Sequence, residues 1–194
     1  MKQGIFQILS NTALTDSVYK MVLEGDTSAI TASGQFVNIR LTGKFLRRPI
    51  SVCDYDERTL TIIYKVVGHG TEAMSAMAPG ESLDILTGLG NGYDLSLAGD
   101  APLLIGGGVG VPPMYNLAKK LIVMGKAVHV ILGFNTKSEI FYEEEFKALG
   151  CAVTVTTVDG SYGVKGFVTG ALPESYTHFY TCGPEPMLKA VYKA

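Results

Sequence analysis

The chain has 194 residues, enough for one large domain or two small ones, either with a real core. Its 16 basic and 18 acidic residues leave a net charge of −2, so nothing electrostatic points to nucleic acid or to an anionic membrane surface. Apolar residues make up 47%, yet no run of them spans a bilayer and residues 1–6 lack the apolar core of a signal peptide, so a cytoplasmic protein is expected.

The first half reads as strands. Residues 5–9, 18–23, 36–41, 50–53 and 60–67 are short, rich in β-branched and aromatic types, and separated by turn clusters such as Glu24-Gly25-Asp26. That rhythm predicts a small antiparallel barrel or sandwich. Between two of these strands, Arg47-Arg48-Pro49-Ile50-Ser51 sets two guanidinium groups beside a hydroxyl, a fork suited to a pyrophosphate; a solvated basic edge is the alternative. Gly68-His69-Gly70-Thr71 opens a predicted helix over 71–77, with Thr71 as its cap, and serves equally as a turn or an anion site. One more strand is expected over 82–86.

A domain boundary is expected near residues 97–101, dividing the chain into 1–98 and 99–194. Beyond it the pattern changes to strands alternating with helices, which implies a parallel sheet with a ligand crevice at the carboxyl ends of its strands. Leu103-Leu104-Ile105 reads as a buried strand, residues 106–113 (GGGVGVPP) as a turn with a proline in the first helical turn, and residues 114–124 as an amphipathic helix stopped by Gly125. Glycines there let a backbone approach a phosphate, although the spacing is not the usual G-x-G-x-x-G, and tight strand-to-helix packing explains them equally well. Further strands are expected over 127–134, 152–157 and 178–183, with helices over 143–149 and 186–191.

Three scattered cysteines form neither a disulfide framework nor a metal pattern; Cys53 and Cys151 read as small buried apolar residues. Cys182 instead falls at the carboxyl end of a strand, the crevice position, where a soft thiol suits a nicotinamide ring; a buried structural cysteine is the alternative. His129 sits in an apolar run and reads as structural. For cofactor choice, Asp159 would accept from a ribose hydroxyl and repel a 2′-phosphate, whereas Lys137 would attract one; NAD is favoured over NADP.

The arginine-serine motif, the G-x-G-T helix start, the glycine turn after the boundary and the terminal Cys182-Gly183-Pro184, in this order, resemble the ferredoxin reductase superfamily over nearly the whole chain. Within it, Arg48-Pro49-Ile50-Ser51 and residues 88–93, 106–113 and 159–169 most resemble the electron-transfer subunits of B-type dihydroorotate dehydrogenases. The resemblance implies an FAD-binding antiparallel β-barrel followed by an α/β nucleotide-binding domain. It assigns Arg48 to the FAD diphosphate, Pro49, Ile50 and Ser51 to the flavin side, Ile63, Tyr64 and Lys65 to the flavin from the next strand, and Gly70 and Thr71 to phosphate. It assigns Gly107, Gly108, Val109 and Gly110 to the NAD pyrophosphate, with Asp159, Cys182, Gly183 and Pro184 completing that site. Where many members carry a tyrosine, this chain has Ile50.

The same resemblance implies a partner, the FMN-containing catalytic subunit, in a heterotetramer that moves electrons from dihydroorotate to NAD during UMP synthesis. A two-iron two-sulfur cluster is implied too, but its cysteine-rich loop would follow Pro184 and the sequence stops at Ala194; a shortened chain is the favoured reading, a cluster-less member the other. Another FAD-dependent NAD(P)H reductase subunit, or a nucleotide-binding regulatory module, are the alternative functions.

Overall fold

Along Lys2–Ala13 (β1), Phe6 and Ile8 are buried while Ile5 and Leu9 face outward, the two-residue period of a strand covered on one side. The period recurs along Phe36–Arg40 (β3) and Ser82–Leu89 (β6) and through most of Val18–Glu24 (β2), while Arg48–Tyr55 (β4) and Thr59–Lys65 (β5) bury consecutive residues beside a register irregularity. In the computed structural model, which describes residues 1–194, these six strands close into an antiparallel barrel in the order β1-β2-β5-β4-β3-β6. Inward side chains including Met21, Leu23, Val37, Ile39, Leu60, Ile62, Tyr64 and Ile85 fill it, and the helix His69–Ser75 (α1) adds Met74 to the same core. Closure removes the free sheet edges that short strands would otherwise expose.

The second unit is a parallel sheet. Leu103–Gly107 (β7), Pro112–Val123 (α2), His129–Phe134 (β8), Glu143–Ala148 (α3), Ala152–Thr157 (β9), Val164–Lys165 (β10), Phe179–Cys182 (β11) and Glu185–Lys193 (α4) follow one another, and the strands lie in the order β10-β9-β8-β7-β11. All five residues of β7 are buried, as a central strand covered on both faces demands. Met114, Leu117, Ala118 and Leu121 of α2 are fully buried, and each large apolar side chain so covered is worth roughly 1.5–3 kcal/mol. On the sheet, Leu103, Ile105 and Ile131 pack with Val168 and with Val191 of α4.

The chain divides into Met1–Gly92 and Tyr93–Ala194, a few residues ahead of the expected boundary. The segment after Gly92 is tied to β11 by side chains that sequence patterning does not reveal. Tyr93 packs edge-on against Tyr180, and the Tyr180 hydroxyl donates to Asp94 O at 2.7 Å.

Candidate functional site

In the barrel unit, candidate residues gather where two neighbouring strands part. The β4–β5 ladder ends at Val52↔Ile62. Upstream of Val52, β4 pairs instead with β3, Arg48 opposite Ile39 and Ser51 opposite Phe36. Downstream of Ile62, β5 stays on β2, Ile63 opposite Lys20 and Lys65 opposite Val18. Residues 48–51 and 63–65 therefore flank a split in the barrel wall.

Arg48 reaches from this split to α1. Its guanidinium donates to Leu46 O and lies over Gly70, where an added β-carbon would stand 2.6 Å from both Cζ and Nη2. Only a residue without a side chain lets the guanidinium rest on the start of the helix. The amides of His69, Gly70 and Thr71 head α1, and the first helical turn leaves such donors without intrahelical acceptors. A guanidinium and backbone amides so placed form a cradle for a phosphate oxygen.

Two expectations are corrected here. Thr71 is the third helical residue, not the cap, which is Gly68; its hydroxyl folds back to accept from Val67 N at 2.9 Å and donate to Gly68 O at 3.1 Å, stapling the loop ahead of the helix. Arg47 and Arg48 form no fork: Arg47 binds the Asp84 carboxylate at 3.1 Å and Asn38 O at 3.1 Å, joining β3 and β6. Of the expected flavin-lining residues Ile63, Tyr64 and Lys65, two have buried side chains and reach the split through their backbone. Tyr64 points into the core with its hydroxyl donating to Asn11 Oδ1 at 3.0 Å, Ile63 is 3% exposed, and of the three Lys65 alone is partly exposed. Ile50 also packs against the barrel core, while Pro49 is exposed.

In the sheet unit, the carboxyl ends of the adjacent strands β7 and β11 carry the glycine turn and Cys182-Gly183-Pro184. A β-carbon on Gly110 would overlap Cys182 O and stand 2.7 Å from Gly183 N, one on Gly107 would stand 2.5 Å from Met187 Sδ, and one on Gly183 2.6 Å from Met187 Cε. Gly110, set against backbone, thus serves the fold, whereas Gly107 and Gly183 meet only the mobile end of Met187 at under 3 Å. Gly108 differs, with φ +53° and nothing within 4 Å of its missing β-carbon, and Val109 beside it is 43% exposed. Pro112 and Pro113 carry no amide hydrogen, and the amides of Val111 and Met114 already bond to Gly108 O and Val111 O. An anion here meets the turn Gly108–Gly110 itself, not the first turn of α2.

Asp159 follows β9 and is exposed. Its carboxylate accepts from Ser161 N at 2.9 Å and Ser161 Oγ at 2.7 Å, and these bonds hold it below the usual carboxylate range. Ser161 Oγ also accepts from Lys137 N at 2.7 Å, and Lys137 Nζ lies 5.8 Å from the centre of the Tyr162 ring. The two residues weighed for cofactor choice are thereby joined through one serine.

Cys182 is half-buried, and burial raises its thiol above the ordinary range. Sequence reasoning missed Tyr93: its neighbours are fixed by tertiary packing, and the one local signal was its place after the glycines at 88, 90 and 92. Cys53 and Cys151 are buried and apart from Cys182 in the chain, and no group of three His, Cys, Asp or Glu side chains is arranged to hold a metal ion. These cysteines do not fit an iron–sulfur cluster. No helix is long and apolar enough to cross a membrane.

Residues 104–193 match the oxidoreductase NAD-binding domain family. Among curated proteins, the dihydroorotate dehydrogenase B (NAD(+)) electron transfer subunit of Bacillus pumilus is 44% identical over 98% of this chain and 78% of its own length. That of Fusobacterium nucleatum is 45% identical over 95% of this chain and 76% of its own. Among solved structures, an NADH-dependent reduced ferredoxin-NADP oxidoreductase aligns with TM-score 0.84 at 31% identity, over 96% of this chain and 70% of that one. A ferredoxin NADP+ reductase from Neisseria gonorrhoeae, with bound FAD and NADP, shares the fold at TM-score 0.84 and 18% identity, over 100% of this chain and 90% of its own. With its barrel, its parallel sheet and this degree of identity, the chain belongs to the family of dihydroorotate dehydrogenase B electron transfer subunits.

Proposed function

We propose that this protein is an NAD-linked flavoprotein electron carrier that passes electrons between NAD and the FMN of a dihydroorotate-oxidising partner subunit, in UMP synthesis. The observation that carries the reading is the split between β4 and β5 with Arg48 laid over Gly70, in a chain 44% identical to an electron transfer subunit.

A bound FAD would supply the exchange between hydride transfer at the nicotinamide and single-electron transfer to the partner, chemistry that belongs to the cofactor. The protein binds and orients. Arg48 and the amides at the start of α1 hold the diphosphate, Ser51 offers a hydroxyl to the flavin ring edge, and Lys65 with the backbone of Ile63 and Tyr64 lines the opposite wall of the split. With Ile50 turned to the core, the aliphatic wall supplies exclusion of water without aromatic stacking. In the sheet unit, Gly108 and Val109 admit the NAD pyrophosphate, Asp159 accepts from an adenosine ribose hydroxyl, and Cys182 with Gly183 and Pro184 faces the nicotinamide. The raised thiol stays neutral at pH 7 and places no anion beside the ring. No step is assigned to an iron–sulfur cluster, since the cysteines of this chain do not gather.

A heterotetramer with the FMN subunit is the expected assembly, and the cytoplasm the expected site, where three free thiols persist reduced. Lower identity, 31%, to the ferredoxin-NADP oxidoreductase makes a different reductase complex the second reading. Reconstitution with FAD tests the first: the chain should turn yellow and oxidise NADH with ferricyanide, and a chain that retains no flavin overturns it. Co-purification with a dihydroorotate-oxidising subunit supports the assigned partner, and co-purification with a ferredoxin-linked one supports the second reading.

A further inference from the structure

Lys137 and Asp159 carry opposite charges and are joined through one serine, yet the lysine ammonium is directed elsewhere. Ser161 Oγ accepts from Lys137 N at 2.7 Å and donates to Asp159 Oδ1 at 2.7 Å. The Lys137 side chain is exposed, and its ammonium lies over the Tyr162 ring, 5.8 Å from the centre. At that separation the negative face of an aromatic ring attracts a cation.

The ring is fixed at both ends. Tyr162 N donates to Thr157 Oγ1 at 3.0 Å and Thr157 Oγ1 donates to Tyr162 O at 2.6 Å, which ties the backbone to the end of β9. The Tyr162 hydroxyl donates to Glu143 Oε1 at 3.1 Å, at the first residue of α3. A phenol that donates to a carboxylate gains electron density in its ring, and a richer ring face holds a cation more strongly. Lys147 is engaged by Glu143 at 2.8 Å and Glu144 at 2.9 Å, which leaves the ring face to Lys137.

We propose that Tyr162 is a specificity-determining residue: its ring holds the Lys137 ammonium away from the Asp159 carboxylate, so that a 2′-phosphate on the bound nucleotide meets an uncompensated negative charge. This rests on the reading that Asp159 meets the adenosine ribose. Released from the ring, the ammonium has two favourable positions, on the Asp159 carboxylate or on the 2′-phosphate, and either one lifts the repulsion. A lysine rooted this close to Asp159 therefore does not make the chain a reader of the extra phosphate.

The test measures the Kd of ADP-ribose and of 2′-phospho-ADP-ribose by titration calorimetry, on the full chain in excess FAD, and reads the ratio of the two. Tyr162→Leu keeps apolar bulk and removes the ring face; the preference for ADP-ribose should fall about threefold, the worth of one cation–π contact at an exposed site. Tyr162→Phe retains the face and should retain most of the preference. Lys137→Met alone should leave the preference as it was, and combined with Tyr162→Leu should restore it. An unchanged preference in Tyr162→Leu overturns the inference. So does a Lys137→Met chain that binds 2′-phospho-ADP-ribose more weakly, since the ammonium would then already be reading the phosphate. In both cases the Asp159 reading stands as long as Asp159→Ala weakens ADP-ribose binding; an Asp159→Ala chain in which neither Kd moves overturns that reading and the inference with it.

Discussion

The Arg48 guanidinium occupies the space that a side chain at position 70 would need, so the cradle exists only because Gly70 has none. Gly70→Ala should therefore displace Arg48 and raise the Kd for FAD roughly tenfold. The flavin-free chain should melt near its original temperature, because alanine gains about 0.5–1 kcal/mol over glycine in a helix and offsets the local crowding. Flavin fluorescence titration and thermal melting, run side by side, separate the two effects. Unchanged flavin affinity would argue that Arg48 meets the diphosphate from elsewhere.

Asn11 ties the barrel to the end of α1. It accepts from Tyr64 at 3.0 Å while its amide donates to Met74 O and Met77 O, each at 2.9 Å. Asn11→Ala leaves the buried Tyr64 hydroxyl and the carbonyls of Met74 and Met77 without these partners, at an expected cost of about 2–3 kcal/mol in urea unfolding. Tyr64→Phe should cost about 1 kcal/mol. The double variant should cost less than the sum, since removing both partners abolishes the unpaired hydroxyl.

Asp159 is an ionised carboxylate held by Ser161, and a 2′-phosphate would meet its charge. Asp159→Asn should raise the kcat/KM for NADPH relative to NADH about fivefold, by removal of like-charge repulsion. Ser161→Ala, which frees the carboxylate and releases Lys137 N, should weaken NADH binding without favouring NADPH. Steady-state kinetics with both nucleotides decides.

His129 is half-buried, with Nε2 2.9 Å from Thr154 Oγ1, and burial lowers its pKa. Protons then bind the unfolded chain more readily than the folded one just below the ordinary histidine value. Stability should accordingly fall as pH drops through about 6.5 and be fully present above it. His129→Gln, which keeps a polar partner for Thr154, should flatten this part of the Tm profile between about pH 8 and about pH 5.

What the sequence made legible followed from periodicity. The alternation of Phe6 with Ile8 and of Leu60 with Ile62 located strands, and Met114, Leu117 and Leu121 located α2, because burial repeats with the backbone's own period. Thr71 misled because a hydroxyl near a helix start reads as a cap whether it precedes the first turn or folds back from within it. Arg47 and Arg48 are indistinguishable as neighbours, yet one precedes β4 and the other opens it, and only the fold sends one to Asp84 and the other to Gly70. The parting of β4 from β5 is a property of register, set by which strand each prefers beyond Val52 and Ile62, and no single residue announces it.

The glycine turn has a consequence for anyone reading substitutions in such chains. Gly107 and Gly110 answer to Met187 and to the Cys182–Gly183 backbone, whereas Gly108 answers only to solvent and to its own left-handed φ. Two kinds of constraint are interleaved residue by residue in a single short run. An inactive variant at Gly110 would speak of a sheet that no longer closes on its helix, and an inactive variant at Gly108 of a strained turn or a guest turned away. A motif treated as one unit would merge two different failures and blame both on binding.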